Sequence, residues 1–308
     1  MGAEVRENEH GRFPEPIEAG GAVLEWGSRT YVMGIINVTP DSFSGDGVGS
    51  DVDTAVCQAL EFIDAGADIL DIGGESTRPG SEPVTTGEEL RRVLPAVEAI
   101  AAQTDAPISI DTYKAEVAAA ALDAGAHIVN DVWGLRMDPD MAPLVARRGV
   151  PVIVMHNRSR PRDAVQEKQL GGRYVGIEYE DLMADIIREL RESIDRAVEA
   201  GVDPNQIIVD PGVGFGKTVE QNLALIDQLD RLQSLGRPVL VGPSRKSFIG
   251  YTLDAPASER LLGTAAVVAL AIARGADIVR VHDVGVMADV IRMADAIVRR
   301  KVATQPGD

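Results

Sequence analysis

Eight short apolar runs recur along this 308-residue chain, and each ends in a polar or charged side chain. The runs are Val32–Thr39, Asp68–Gly74, Pro107–Thr112, His127–Val132, Pro151–His156, Ile207–Gly212, Pro238–Ser244 and Ile278–Asp283. At their ends stand Asn37, Glu75 with Thr77 and Arg78, Asp111, Asn130, His156, Asp210, Lys246, and Arg280 with His282. Strands rich in Val and Ile, without polar alternation, are buried on both faces, as parallel strands must be. Eight such strands separated by helical stretches predict a closed (β/α)8 barrel. A barrel of this kind builds its site at the C-terminal strand ends, which is where these polar residues fall.

The joints between helix and strand repeat as well. Asp64-Ala65-Gly66-Ala67-Asp68, Asp123-Ala124-Gly125-Ala126-His127 and Ala273-Arg274-Gly275-Ala276-Asp277 each precede a strand, and Gly149 and Gly201 sit in looser copies. Each glycine falls where a helix ends in a left-handed residue, a conformation glycine adopts at little cost. A doubly wound sheet shares these local signals, but eight units run through one chain with no sign of a reversal or a second domain. Residues 21–300 therefore read as one barrel domain. Residues 1–20, with Pro14 and Pro16, and residues 301–308 are expected to be mobile tails. Val23–Trp26 and Thr30–Met33 flank Gly27-Ser28 and predict a hairpin that plugs the barrel bottom. Asn157–Glu178 has no periodicity and is expected to be a long loop on the catalytic face.

Composition excludes several partners. The net charge is −18 and the isoelectric point is near 4.6, a surface that repels nucleic-acid phosphates. Any anionic substrate then needs a local basic pocket. Cys57 is the only cysteine, so no intrachain disulfide forms. The start of the chain is acidic and polar, with no basic-then-apolar signal. Gly2 is followed by Arg6 where a myristoylation site wants Ser or Thr. The longest apolar run, Ala265–Ala273, is half a membrane span. A cytoplasmic protein with no membrane contact is expected.

Four constellations carry chemistry. After the first strand comes Asn37-Val38-Thr39-Pro40-Asp41-Ser42-Phe43-Ser44-Gly45-Asp46-Gly47, a long turn-rich loop in which Asp41 or Asp46 could also cap the next helix. After the second comes Gly73-Gly74-Glu75-Ser76-Thr77-Arg78-Pro79-Gly80, whose glycines admit close backbone approach and whose Ser, Thr and Arg offer donors to an anion. Asp111, Asn130 and Asp210 end three further strands. Any one of these carboxylates alone reads as a structural ion pair, but a set converging on one mouth suits a ligand edge with several N–H donors. The fourth is Gly242-Pro243-Ser244-Arg245-Lys246-Ser247 with Arg280-Val281-His282, at the strands where barrels often bind phosphate. Gly212-Val213-Gly214-Phe215-Gly216-Lys217-Thr218 ends like a nucleotide-binding P-loop, but Pro211 stands where its first glycine is required, so a tight turn into a helix is the better reading. The four histidines show no metal spacing, and His127, at a strand start, lies on the stability face.

In order and spacing, Asn37–Gly47, Asp71–Gly80, Ile110–Thr112, Asn130-Asp131, Val154-Met155-His156, Asp210–Lys217, Ser244–Gly250 and Arg280-Val281-His282 resemble dihydropteroate synthases. The resemblance runs from about Tyr31 to Asp283. It implies a (β/α)8 barrel, typically a homodimer. The implied enzyme condenses 6-hydroxymethyl-7,8-dihydropterin diphosphate with p-aminobenzoate in an SN1-like reaction, with sulfonamides mimicking p-aminobenzoate.

Carried over by motif, the resemblance implies that Asp111, Asn130, Met155, Asp210, Phe215, Lys246 and Arg280 bind pterin. Thr77, Arg78, Phe215 and Ser247 would shape the p-aminobenzoate site. Asn37, Thr77, Arg78, Arg280 and His282 would bind pyrophosphate, with Asn37 also ligating Mg2+. Asp111, Lys246, Arg280 and Asp46 would act in catalysis. One departure falls in the first loop, where the family's Phe-Ser-Asp-Gly-Gly is here Phe43-Ser44-Gly45-Asp46-Gly47, the acid moved by one. Two alternatives share the pterin residues: a corrinoid-type methyltransferase, which should lack the second-loop Arg and the Ser-Arg-Lys-Ser motif, and a non-catalytic pterin-binding paralogue.

Overall fold

A computed structural model describes residues 14–38, 48–76, 83–160, 163–167, 169–175 and 177–300. Its elements run β1 (Ile17–Ala19), β2 (Ala22–Leu24), β3 (Tyr31–Asn37), α1 (Val48–Asp64), β4 (Ile69–Gly73), α2 (Thr86–Ala101), β5 (Ile108–Asp111), α3 (Ala115–Asp123), β6 (Ile128–Asp131), α4 (Met141–Arg148) and β7 (Val152–Met155). They continue through β8 (Ala164–Glu167), β9 (Gly171–Tyr174), α5 (Leu182–Glu199), β10 (Ile207–Asp210), α6 (Val219–Asp227), β11 (Leu240–Val241), α7 (Ser247–Leu253), α8 (Leu261–Ala273), β12 (Ile278–Val281) and α9 (Val284–Arg299).

Each of the eight expected runs holds one strand of an eight-stranded parallel sheet, ordered β10-β7-β6-β5-β4-β3-β12-β11. A single parallel bridge, Val209 with Val239, joins the two ends and closes the barrel. The joint glycines Gly66, Gly125, Gly149, Gly201 and Gly275 all take positive φ, as the repeat requires. Helix starts are capped from the sequence: Thr85 accepts from Glu88 N, Asp181 from Ala184 N, and Thr218 forms a reciprocal capping box with Gln221.

The hairpin at the barrel bottom is built one step earlier than expected. β1 pairs with β2 around Gly20-Gly21, whereas Tyr31–Met33 belongs to the first barrel strand. Ile17 and Ala19 are buried, so the folded unit begins inside the stretch expected to be a tail. The reason is the apolar alternation Ile17, Ala19, Leu24, Trp26, a pattern short enough to be masked by the flanking prolines. These side chains pack against the inward residues of the strand starts, Met33, Ile69, Ile128, Ile153, Ile208, Leu240 and Ile278. Full burial of each such side chain contributes about 1.5–3 kcal/mol. His127 lies at this end, accepting from Ile108 N through Nδ1 at 3.2 Å, as expected of a stability-face residue.

The stretch 157–178 also differs from expectation. It carries an antiparallel hairpin, β8 with β9, in which Ala164 faces Tyr174. The hairpin is held from outside itself. Tyr251 donates to Gly171 O at 3.1 Å, Arg173 lies 4.8 Å from the Tyr251 ring, and buried Arg260 donates to Leu170 O at 2.9 Å. Tertiary partners thus order a segment whose own pattern gave no strand signal.

Candidate active site

The floor of the site is a buried charge cluster at the strand C-termini. Arg280, on β12, donates from Nε to Asp71 Oδ2 at 2.5 Å and from Nη2 to Asp111 Oδ2 at 2.6 Å. Asn130 Nδ2 lies 3.3 Å from the same Asp71 oxygen. Burial pushes the Asp111 carboxyl up, to about 7, with Arg280 opposing and Asp71 adding to the rise. Arg280 is itself held well above its usual range: burial opposes its charge, but Asp71 and Asp111 outweigh that. Four strands, β4, β5, β6 and β12, contribute to this cluster, and register sets Asp111 beside both Gly73 and Asn130.

The second wall is the turn after β10. Asp210 is buried and accepts from Gly212 N at 2.7 Å. Burial raises its carboxyl to about 6, opposed by the Gly212 N–H and by Lys246, Arg280 and Lys217. Gly212 has φ +70, and a Cβ there would lie 1.9 Å from His156 O, so only glycine fits. The turn carries Phe215, whose ring lies 3.9 Å from Lys246 Nζ, a cation–π contact between this turn and the start of α7. Met155, buried at the end of β7, is Asp210's register partner.

The rim on the β11–β12 side is built around Ser244, whose Oγ lies 3.0 Å from His282 Nδ1 and accepts from His282 N at 3.2 Å. Arg245, in a left-handed conformation at φ 55, pairs with Asp283. Arg260 donates to the Arg245 carbonyl at 3.0 Å and so ties the Ser-Arg-Lys-Ser turn to the hairpin. Ser247 begins α7, directly after Lys246. On the opposite rim, Lys114 bridges Glu75 and buried Glu89 and donates to Val84 O at 2.8 Å, clamping the stem of the second loop. Asn37 ends β3, half-buried, beside Gly73 of β4.

The structure therefore brings together Asp111, Asn130, Met155, Asp210, Phe215, Lys246 and Arg280 at one barrel mouth, with Asn37, Ser247 and His282 at strand or helix ends around it. Asp46, Asp41, Thr77 and Arg78 lie outside the described residues. Sequence reasoning passed over Asp71, although it stands between Leu70 and Ile72 just as Arg280 stands between Val279 and Val281, and strand alternation aims both inward. It also passed over Lys217. The turn-into-helix reading of that motif holds, since Thr218 caps α6, yet Lys217 is one of the most buried side chains in the chain. Glu189 of α5 was missed for want of any local signal; it binds His156 and Arg158 from across the barrel wall.

The family model for pterin-binding enzymes matches residues 33–282. A dihydropteroate synthase of Clostridium beijerinckii is 48% identical over 92% of this chain and 100% of its own length. The chain belongs to the dihydropteroate synthase family. Among solved structures of that family, one from Clostridium difficile, determined with pteroic acid, superimposes with a TM-score of 0.82 at 47% identity, covering 89% of this chain and 99% of its own. The Yersinia pestis dihydropteroate synthase, solved as a sulfonamide drug complex, gives 0.83 at 41% identity, with 92% and 99% covered. The barrel mouth described above is the part of the dihydropteroate synthase fold where strand ends converge.

Proposed function

We infer that the chain condenses 6-hydroxymethyl-7,8-dihydropterin diphosphate with p-aminobenzoate, giving 7,8-dihydropteroate and pyrophosphate. The observation that carries this is the convergence of Asp111, Asn130, Asp210, Lys246 and Arg280 on one mouth. Asp210 and Asp111 offer acceptors to the N–H edge of the pterin, and Asn130 and Lys246 supply the complementary donors. Phe215 and Met155 give the ring apolar contact. The exocyclic C–O bond breaks and its electron pair leaves with pyrophosphate. The amine of p-aminobenzoate then forms the C–N bond and releases a proton. Buried carboxylates stabilise the positive charge that develops on the pterin.

Thr77, Arg78, Arg280 and His282 provide the hydroxyl and basic groups for pyrophosphate, with Thr77, Arg78, Phe215 and Ser247 around p-aminobenzoate and its sulfonamide mimics. Mg2+ prefers oxygen donors and keeps several from water and phosphate, binding few protein groups. Asn37, at the end of β3, offers an amide oxygen of that kind. When bound, the ion would neutralise charge on the leaving group.

Two surface features bear on assembly and place. Leu262 and Leu270 on α8, with Met293 and Ile297 on α9, stand more than half exposed on adjacent helices, the face through which we propose a homodimer. Among the described residues no helix is long and apolar enough to cross a membrane, and a cytoplasmic location fits the reading.

Pyrophosphate release, followed by a coupled assay with and without p-aminobenzoate, tests the function. Release that needs both substrates is expected; pterin binding without turnover would instead mark a non-catalytic relative. The shifted loop-one acid has its own test. Asp46→Ala should lower turnover by roughly 10- to 1000-fold with little change in the pterin KM. Asp41→Ala should act on folding, at about 0.5–2 kcal/mol.

A further inference from the structure

Lys217 is a fully buried amine behind the pocket, used by none of the roles above. Its Nζ lies 3.0 Å from each of three acceptors: His156 Nδ1, Gly212 O and Phe215 O. Three acceptors match the three protons of an ammonium and leave none spare. His156 supports that charge state. Burial, with Lys217 beside it, pushes the imidazole down to about 3, so the ring is neutral, with Nδ1 free to accept and Nε2–H donating to Glu189 at 3.1 Å. The carbonyls that Lys217 holds are the two ends of the turn carrying Phe215, and Gly212 N in that turn donates to Asp210.

We propose that Lys217 is a positioning residue for the condensation: its buried ammonium closes the Gly212–Phe215 turn and keeps Asp210 as the carboxylate that the pterin edge requires. The charged and titratable groups around it are Asp210 on β10, His156 and Arg158 after β7, Glu189 on α5, and Lys246 before α7. Asp210 and Glu189 favour the ammonium, while Arg158 and Lys246 oppose it; burial brings Lys217 down to about 7. The same charge acts back on Asp210 and holds its carboxyl lower than burial alone would. Asn222 reinforces the turn, accepting from Gly214 N at 2.6 Å and donating to Thr218 O at 2.7 Å, so the turn does not depend on Lys217 alone for its shape.

The inference rests on Asp210 binding the pterin edge, and the test separates the two. Affinity of the full chain for 6-hydroxymethylpterin is measured by calorimetry from pH 5 to 7.5, for the wild type, Lys217→Met, Lys217→Gln and Asp210→Asn. Loss of the charge should move the acid limb of the profile up by about one pH unit, which is about tenfold weaker binding on that limb. Lys217→Gln, which keeps donors for the turn, should show the same shift, and it carries the test if Lys217→Met does not fold. Weakening by one factor at every pH in Lys217→Met, restored by Lys217→Gln, would mean a hydrogen-bonding role only and would overturn the proposal, as would unchanged profiles. Unchanged binding in Asp210→Asn would remove the underlying assignment instead.

Discussion

Arg280 reaches across the barrel from β12 to β5 and donates to Asp111 Oδ2 at 2.6 Å, while its Nε is held by Asp71. Two carboxylates and one guanidinium therefore share a buried floor. The excess acid is what lifts Asp111, after burial itself. A ligand edge that brings N–H donors to Asp111 supplies the positive character the floor is short of.

That floor makes stability depend on pH. Asp111 titrates at about 7 in the folded chain against an ordinary 3.8. A carboxyl raised on folding contributes stability that is complete below its unfolded value and lost as pH rises through the folded one. The melting temperature of the wild type, relative to Asp111→Asn, should rise as pH falls from 8 towards 5. A difference that stays flat across that range would refute the assignment.

Asp210→Asn replaces an acceptor oxygen by a donor facing donors. Pterin affinity should fall by roughly 10- to 150-fold, about 1.5–3 kcal/mol, read by calorimetry at neutral pH.

Glu189 behaves in the opposite sense to Asp111. Burial works against its charge, but hydrogen bonds from His156 and Arg158 hold it well below the usual 4.5. Its contribution is present above about pH 4.5 and disappears as pH falls further. Because the pair is only half-buried, Glu189→Gln should cost about 1–2 kcal/mol at pH 7, and the gap to wild type should narrow below pH 4. Denaturant unfolding at the two pH values checks both halves.

Arg260 donates to the carbonyls of Leu170, Arg245 and Ala255, tying the hairpin to both ends of α7. Arg260→Met should leave those acceptors unmatched, and limited proteolysis should then cut between residues 164 and 174 at least tenfold faster than in the wild type, the rate change expected for about 1.4 kcal/mol of local stability. Cleavage at the wild-type rate would show that the hairpin is held without Arg260.

The barrel was legible because its signals are local: apolar runs of strand length and a glycine at each joint. Asp111, Asn130, Asp210 and Arg280 were legible because each interrupts or ends such a run. The hairpins were not. β1 and β2 are three residues long, and β8 and β9 take their order from Arg260 and Tyr251, which lie far along the chain. Lys217 was hidden by its motif: a Gly-Lys-Thr ending invites a phosphate reading, and only the fold reveals a side chain turned inward to His156. Asp71 was concealed by its company, since Glu75, Thr77 and Arg78 drew attention to the loop beyond it.

Among the described residues a single bridge, Val209 with Val239, pairs the two ends of the sheet, and β11 offers two register pairs to β12, against four between β10 and β7. This is the most sparsely paired line in the cylinder, and Asp210 and Lys246 stand on either side of it. A pterin ring bound by both, as proposed above, would span the seam and fasten it. Amide hydrogen exchange at Val209, Val239 and Val241 should accordingly be fast for barrel residues in the free chain and slow most on pterin binding, the wall stiffening from the ligand outward.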